Sequence, residues 1–480
     1  MEVRSFASYE LKPERSHMST FNEKWGNKVM TNKTCIESRS CFFKRSFLGL
    51  VTALIVLLAL VATQAVAQPY ALKPGKPYNG QTITILWHTN EQFKAIERRT
   101  QQFTDLTGIK VEYVWVPFPG LHEKLVAELV AGQGTYDAVN VSDYWLPGFS
   151  QFFAPLDEFI KDARIDMNRY PPTYRSMGYY KGVLYSMVLR AHAQLLYYRK
   201  DIFDKLQLKV PTSWKEVAEA GKKIQEKTKL AGIAMYYGRV SPTAMHNIVN
   251  WFPMLWSAGG IIFDENWKPA FNDKTGVEVT QQYVDLHLKQ GVTPRGSVAF
   301  SEYEAVVTYE QGDAAMYMGL MWSLSVFQNP KLSKPEVVKY TRVAPVPIIE
   351  GKSKASLTVG HMFSIPKASK NIDAAKEWLK WVTNPDLEKE YVKAREDVMM
   401  VQTANLLDPE INKMYDNFYK TCYETVKDAQ TVPLIPEWAE ISSYLSIAIS
   451  EAVGGMPVKT ALDRAAKAIE DIMKRAGYYK

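Results

Sequence analysis

An α/β architecture in two lobes follows from three features of the 480-residue sequence. Short β-branched runs alternate with helical apolar periods, the pattern of a parallel sheet with crossover helices. The chain is too long for one compact core and suits two once a leader is set aside. No repeat, low-complexity tract or long linker divides it, so the chain is expected to cross between its lobes several times.

The leader comes first. Residues 44–67, KRSFLGLVTALIVLLALVATQAVA, give two cations, an apolar run and an Ala65-Val66-Ala67 cleavage signature before Gln68. The apolar run, residues 47–62, is 16 residues long and contains Gly and Thr. Spanning a membrane needs about 20 apolar residues, so a cleaved secretory signal is the reading and a retained anchor the alternative. Met18 and Met30 are alternative starts within the 43 residues that precede the signal. Setting residues 1–67 aside as N-terminal extension and signal removes nine of 58 Lys or Arg and five of 51 Asp or Glu, leaving 49 against 46. Such a balance carries no nucleic-acid argument. Cys35 and Cys41 precede the junction, so Cys422 stands alone in the exported chain and stability must come from a core. No cysteine follows the junction to carry a lipid, and a soluble periplasmic protein is expected.

Along the mature chain, residues 82–87 (TITILW) form a strand, after which Phe93, Ile96, Phe103 and Leu106 recur at helical spacing up to Gly108. Residues 109–116 (IKVEYVWV) alternate as a strand, LHEKLVAELVAG is helical to Gly132, and YDAVNVS is a third strand. Ligands of such sheets sit beyond the carboxyl ends of the strands. Those ends are WHTNE and SDYW. In SLTVGHMFSIPKASKNIDAAKEWLKWVTNP a strand runs to Ile365, and a helix follows with Asn371 as cap, Asp373 in its first turn and Ile372, Ala375, Leu379 and Val382 inward. The last helix turns Val458, Leu462, Ala465, Ile469 and Ile472 to one side. In EQGDAAMYMGLMWS, residues 314–318 read as a buried strand and Gly319 as the turn at its end.

Enzyme signatures are weak. HEKL at 122–125 lacks the second His of a zinc-protease motif, GQG at 132–134 lacks a third glycine, and no Gly-x-Ser-x-Gly elbow occurs. The seven histidines show no paired spacing, so neither a metal nor a cofactor is expected. A glycosidase pair of Glu91 and Asp143 stays open as an alternative.

Six stretches in register carry a resemblance over residues 80–476: FTDLTGIKVEYV; GTYDAVNVSD with FFAPLDEFI; GVLYSMVLRAHAQLLYYRKDIFDKL with VPTSWKEV; EQGDAAMYMGLMW; IPKASKNIDAAKEWLKWV; and GGMPVKTALDRAAKAIEDI. They resemble the extracellular solute-binding proteins, family 1, the sugar-type, maltose-binding-protein-like components of ATP-binding-cassette importers. The resemblance implies a two-lobed periplasmic binding protein of type II, the Venus flytrap, with a central β-sheet flanked by helices in each lobe. It divides the chain into an N-lobe of residues 80–190 plus 352–385 and a C-lobe of 191–351 plus 386–480. It implies capture of a carbohydrate, an oligosaccharide or polyol, in the inter-lobe cleft for delivery to the membrane permease, by a monomer without cofactor. The alternatives are a receptor for a polyamine, phosphorylated polyol or other small solute, and a secreted carbohydrate-active enzyme.

Sugars present polar edges and apolar faces, so their sites want aromatic plates with amide, carboxylate or guanidinium partners. Trp87, His88 and Glu91 after the first strand, and Asp143, Tyr144 and Trp145 after the third, are the loop candidates. Arg190 and His192 lie where the resemblance puts the first crossing strand, with Arg190 also able to pair with a carboxylate across the hinge. Trp256, or its neighbour Trp251, and Tyr237, beside Tyr236, are candidates from the second lobe, as are His361 after Gly360 and Trp438 after VPLIPE. Trp322 falls where the resemblance implies an indole against the sugar ring. Around Arg395, AREDVMM departs from the family pattern, so no role is carried over there.

Overall fold

The computed structural model describes residues 70–239, 245–352 and 354–479. The signal, its junction at Ala67, Met18, Met30, Cys35 and Cys41 lie outside them. Among the described residues no helix is long and apolar enough to cross a membrane. Gln68–Lys480 forms one compact unit.

Its strands are β1 (Thr82–His88), β2 (Lys110–Val116), β3 (Ala138–Ser142), a small hairpin of β4 (Tyr179–Tyr180) and β5 (Val183–Leu184), β6 (Met187–Arg199), β7 (Ala231–Ala234), β8 (Ala314–Leu320), β9 (Thr341–Ala344), β10 (Ser356–Ser364) and β11 (Ala429–Gln430). They join in the order β2-β1-β3-β10-β6-β8-β7, with β9 on β6 and β11 on β10. The first three are parallel, as strand–helix–strand alternation requires. Strand β10 returns from late in the chain to pair antiparallel with both β3 and β6.

Strand β6 organises the molecule. Its first half pairs with β10 up to Ala193, and from Gln194 onward it pairs with β8, then also with β9. One continuous strand thus belongs to both halves of the sheet, and the fold is a two-lobed α/β architecture. Opposite β10 the ladder slips between His361 and Met362, a bulge that leaves Leu189 without a facing partner.

Three local expectations are corrected. The helical period after β1 is two helices, Glu91–Glu97 and Thr100–Thr107. The turn at Arg98 and Arg99 resets the phase, so Phe93, Ile96 and Phe103 are buried while Leu106 is 58% exposed. Asn371 precedes the helix Ile372–Val382 but makes no side-chain cap bond; its amide instead donates to Asp137 and to the Thr82 carbonyl. Gly319 makes no turn: it pairs with Leu195 inside β8. A Cβ there would lie 2.1 Å from the Tyr317 hydroxyl, so glycine leaves room for the phenol two residues back on the same face.

Other elements follow the sequence closely. Gly108 and Gly132 end their helices in the left-handed conformation, φ 75° and 62°. The helix Val458–Arg475 buries Val458, Leu462, Ala465, Ile469 and Ile472.

Candidate functional site

A cavity of about 280 Å³ opens beyond the ends of β1 and β3, against the middle of β6 and β10. Of the residues singled out from the sequence, His88, Glu91, Tyr144, Arg190, His192, Trp322 and His361 line it. It is brought together by elements far apart in sequence: the β1 end, the β3 end, two crossing strands and the turn after β8.

Three imidazoles form one wall. The His88 and His361 rings are 4.5 Å apart and tilted by 49°, and His192 meets His361 edge-on at 5.9 Å. All three are buried. The tautomer of His88 follows from its neighbours. Asn140 donates its amide N–H to the Met362 carbonyl, so its Oδ1 faces Nδ1 of His88 at 2.6 Å and takes its proton. Nε2 is then an acceptor, and Asn90 donates to it at 3.0 Å. Asn90 is itself oriented, because its Oδ1 caps the helix Glu91–Glu97 through Phe93 N–H. With both nitrogens engaged, His88 has no room for a second proton. Burial, then the charge of Arg190, lowers it from the usual 6.5 to about 3, although the Asn140 bond acts in the other direction. Burial lowers His192 and His361 well below the ordinary value too, assisted at His192 by Arg190 and His88 and at His361 by His88, His192 and Arg190. Among the described residues, Nδ1 of His192 has no hydrogen-bond partner. The cluster is therefore neutral, and among the described residues no group of metal-binding geometry exists.

Arg190 is the cavity's buried cation. Its Nη1 donates to Gln92 Oε1 at 3.2 Å and lies 4.0 Å from Asp397 Oδ1. Gln92 donates in turn to the Leu189 carbonyl and to the Tyr391 hydroxyl. Asp397 accepts from Ser325 Oγ at 3.2 Å. A polar chain thus runs from the helix after β1, through β6, to the helix Ser323–Phe327 after β8. Burial opposes charge on Arg190, and the Asp397 carboxylate favours it.

Trp322, Tyr303 and Glu302 also line the cavity. Trp322 Nε1 donates to Glu302 Oε1 at 3.2 Å, which commits the indole edge to the protein and leaves the ring face as its contribution to the cavity. Burial raises Glu302 to about 7, against the opposing pull of the indole and Arg190.

The other candidates lie off the cavity wall. Trp87 is in the core, stacked on Tyr113 at 4.2 Å and Phe93 at 4.9 Å, because alternation along β1 turns it away from His88. Asp143 accepts from Gly360 N–H at 3.1 Å, and burial raises it to about 7. Trp145 stacks on Phe118, which does line the cavity, at 5.5 Å. Trp438 donates to Met245 Sδ at 3.2 Å and likewise supports the wall from behind. Tyr237 donates to the Tyr283 carbonyl, Tyr236 is buried, and Trp251 donates to Thr280. Trp256 stacks on Phe252 and faces a separate groove beside Trp267. Arg395 donates to the Met414 carbonyl on the surface.

Sequence reasoning passed over Asn90, Phe118, Glu302, Tyr303, Ser325 and Asp397, all on the wall. Glu302 opens a helix after the Ser301 capping box, a pattern that signals a helix start and not an inward carboxyl.

A family model described as bacterial extracellular solute-binding protein matches residues 72–389. A probable amino-acid ABC transporter periplasmic-binding protein of Sinorhizobium fredii is 27% identical over 431 residues, 87% of this chain and 95% of that protein. The mannitol-binding protein of Pseudomonas aeruginosa is 24% identical over 428 residues, 83% of this chain and 95% of that one. Among solved structures, an ABC transporter solute-binding protein from Agrobacterium vitis S4 with bound D-mannitol has TM-score 0.72 at 27% identity, covering 84% of this chain and 100% of that chain. Maltose-bound T. maritima MalE3 has TM-score 0.75 at 22% identity, covering 82% and 100%, a likeness of fold.

Proposed function

The chain belongs to the bacterial extracellular solute-binding protein family, and from that premise we propose that it captures a carbohydrate or polyol between its lobes and hands it to the permease of an ATP-binding-cassette importer. The observation that carries this reading is the cavity wall: ring faces of Trp322, Phe118 and three neutral imidazoles stand beside the amide, guanidinium and carboxyl groups of Asn90, Arg190 and Asp397. Ring faces suit the apolar side of a sugar, and the polar groups suit its hydroxyls. A volume of about 280 Å³ favours a single sugar or acyclic polyol over a long oligosaccharide, since it sits at the small end of ligand cavities. The D-mannitol complex of the Agrobacterium vitis relative and the mannitol-binding relative support a polyol.

Periplasmic location after cleavage behind Ala67, and a binding role without turnover, belong to the same proposal. So do the lobes, residues 80–190 plus 352–385 and 191–351 plus 386–480. The contacts favour one adjustment: Glu396 pairs with Arg98 and with Arg99, the latter at 2.6 Å, which groups residues 386–397 with the first lobe. Closure follows because both lobes touch the ligand.

Thermal-shift screening against hexoses, hexitols, amino acids and phosphate esters tests the reading. Stabilisation by a sugar or polyol that is recovered unchanged is expected. Stabilisation confined to amino acids or phosphates, or consumption of the sugar, refutes it.

A further inference from the structure

The charged groups on the cavity wall fall into pairs, with one left over. Glu91 at the mouth pairs with Lys94 at 2.9 Å. Arg190 and Asp397 face each other at 4.0 Å inside. Glu302 is 8% exposed and lines the same cavity, and among the described residues no Lys, Arg or His stands within ion-pairing distance of it. Its contacts are neutral donors: Trp322 Nε1 at 3.2 Å and the Tyr317 hydroxyl. The three imidazoles, held neutral by burial, supply no counter-charge. Arg190 acts on it only from beyond ion-pairing distance, and a buried carboxylate without a paired cation is costly, so such groups are ordinarily paired or protonated. Beside this one stand the rings of Trp322 and Tyr303, 6.3 Å apart between centroids. Such ring faces attract cations.

We propose, resting on the carbohydrate reading above, that the ligand carries a primary amino group, as an amino sugar or aminopolyol, whose ammonium ion-pairs with Glu302 while its hydroxyls meet Asn90 and Arg190. The wall then has as many positive as negative charges once the ligand is in place. Where Glu302 holds a proton in the free protein, binding releases that proton to solvent as the carboxylate takes the ammonium, so charge and atoms balance.

Matched pairs test this by titration calorimetry on the purified protein at pH 7: D-glucosamine with D-glucose, D-galactosamine with D-galactose, and D-glucamine with D-sorbitol. At least one amine is expected to bind tenfold or more tightly than its hydroxyl partner. Its apparent enthalpy should change with the ionisation enthalpy of the buffer, the sign of proton release. Glu302→Gln should bring the two members of that pair to within about twofold; the wild-type ratio stands as a test whether or not this variant folds. Neutral members binding as well as or better than the amines overturns the inference and leaves the carbohydrate reading intact. No binding by any member of any pair overturns the inference, and stabilisation by amino acids alone in the wider screen overturns the carbohydrate reading with it.

Discussion

Asn140 holds His88 through a 2.6 Å hydrogen bond, and it acts there as acceptor because its own amide is committed to the Met362 carbonyl. Strand β3 thereby sets the protonation pattern of a ring on β1 using a backbone group of β10. Asn140→Ala strands a buried ring N–H and a buried carbonyl together. Unfolding in urea should show a loss of about 1–3 kcal/mol for a stranded buried group, with weaker ligand-induced stabilisation beside it. A variant as stable as the parent would mean that water replaces the amide.

Two buried groups give the protein opposite responses to pH. His88 is lowered in the folded state from 6.5 to about 3, so its contribution is fully present above pH 6.5 and is lost as pH falls toward 3. His88→Gln should flatten the acid limb of the stability curve by about 1.4 kcal/mol per pH unit in that window. Asp143 is raised from 3.8 to about 7, so its contribution is fully present below pH 3.8 and is lost as pH rises through 7. Asp143→Asn keeps an acceptor for Gly360 N–H and should gain on the parent as pH rises from about 4 to 7, and hold that lead above pH 7. Urea midpoints between pH 4 and 8.5 check both, and parallel curves for parent and variant would refute either assignment.

Trp322 offers its face to the cavity and its edge to Glu302. Trp322→Ala should remove most of the ligand-induced rise in melting temperature while the free protein keeps its circular dichroism and cooperative unfolding. An unfolded variant would return the indole to the core. Trp322→Phe should retain part of the rise, because the ring face remains while the bond to Glu302 goes.

Gly319→Ala tests the reason for glycine within β8. A Cβ there meets the Tyr317 hydroxyl at 2.1 Å, and forced repacking of a core costs about 1–3 kcal/mol. Tyr317→Phe in the same chain should recover part of the loss by removing the clashing atom. A neutral Gly319→Ala would show that the phenol moves freely.

Periodicity and punctuation made most of the framework legible. The β1 to β3 alternation, the left-handed glycine caps at 108 and 132, and the inner face of the last helix are local signals, and the structure has them where they are read. The cavity was legible in part because strand ends point to it: His88 and Tyr144 follow from that rule alone. The rule does not tell which side of a strand end faces the ligand, so Trp87, one residue before His88, lies in the core instead. Glu302 and Asp397 were illegible because nothing local marks a helix-opening carboxyl, or an acid in an irregular turn, as inward. The position of Asp397 also depends on a partner more than 100 residues away in sequence, Arg190, while that of Glu302 depends on how the helix it opens packs against the turn after β8, where Trp322 meets it.

The partner exchange of β6 at Ala193 and Gln194 has a mechanical consequence. Under the proposed binding reading, Arg190 and His192 stand on the strand that changes partners at Gln194, so the contacts proposed to sense the ligand and the proposed axis of lobe closure are one piece of backbone. Affinity and the open–closed balance are then not separately adjustable. A change that tips the empty protein from one part closed in a hundred to one in two would raise apparent affinity about fiftyfold without touching the ligand, because binding selects the closed fraction.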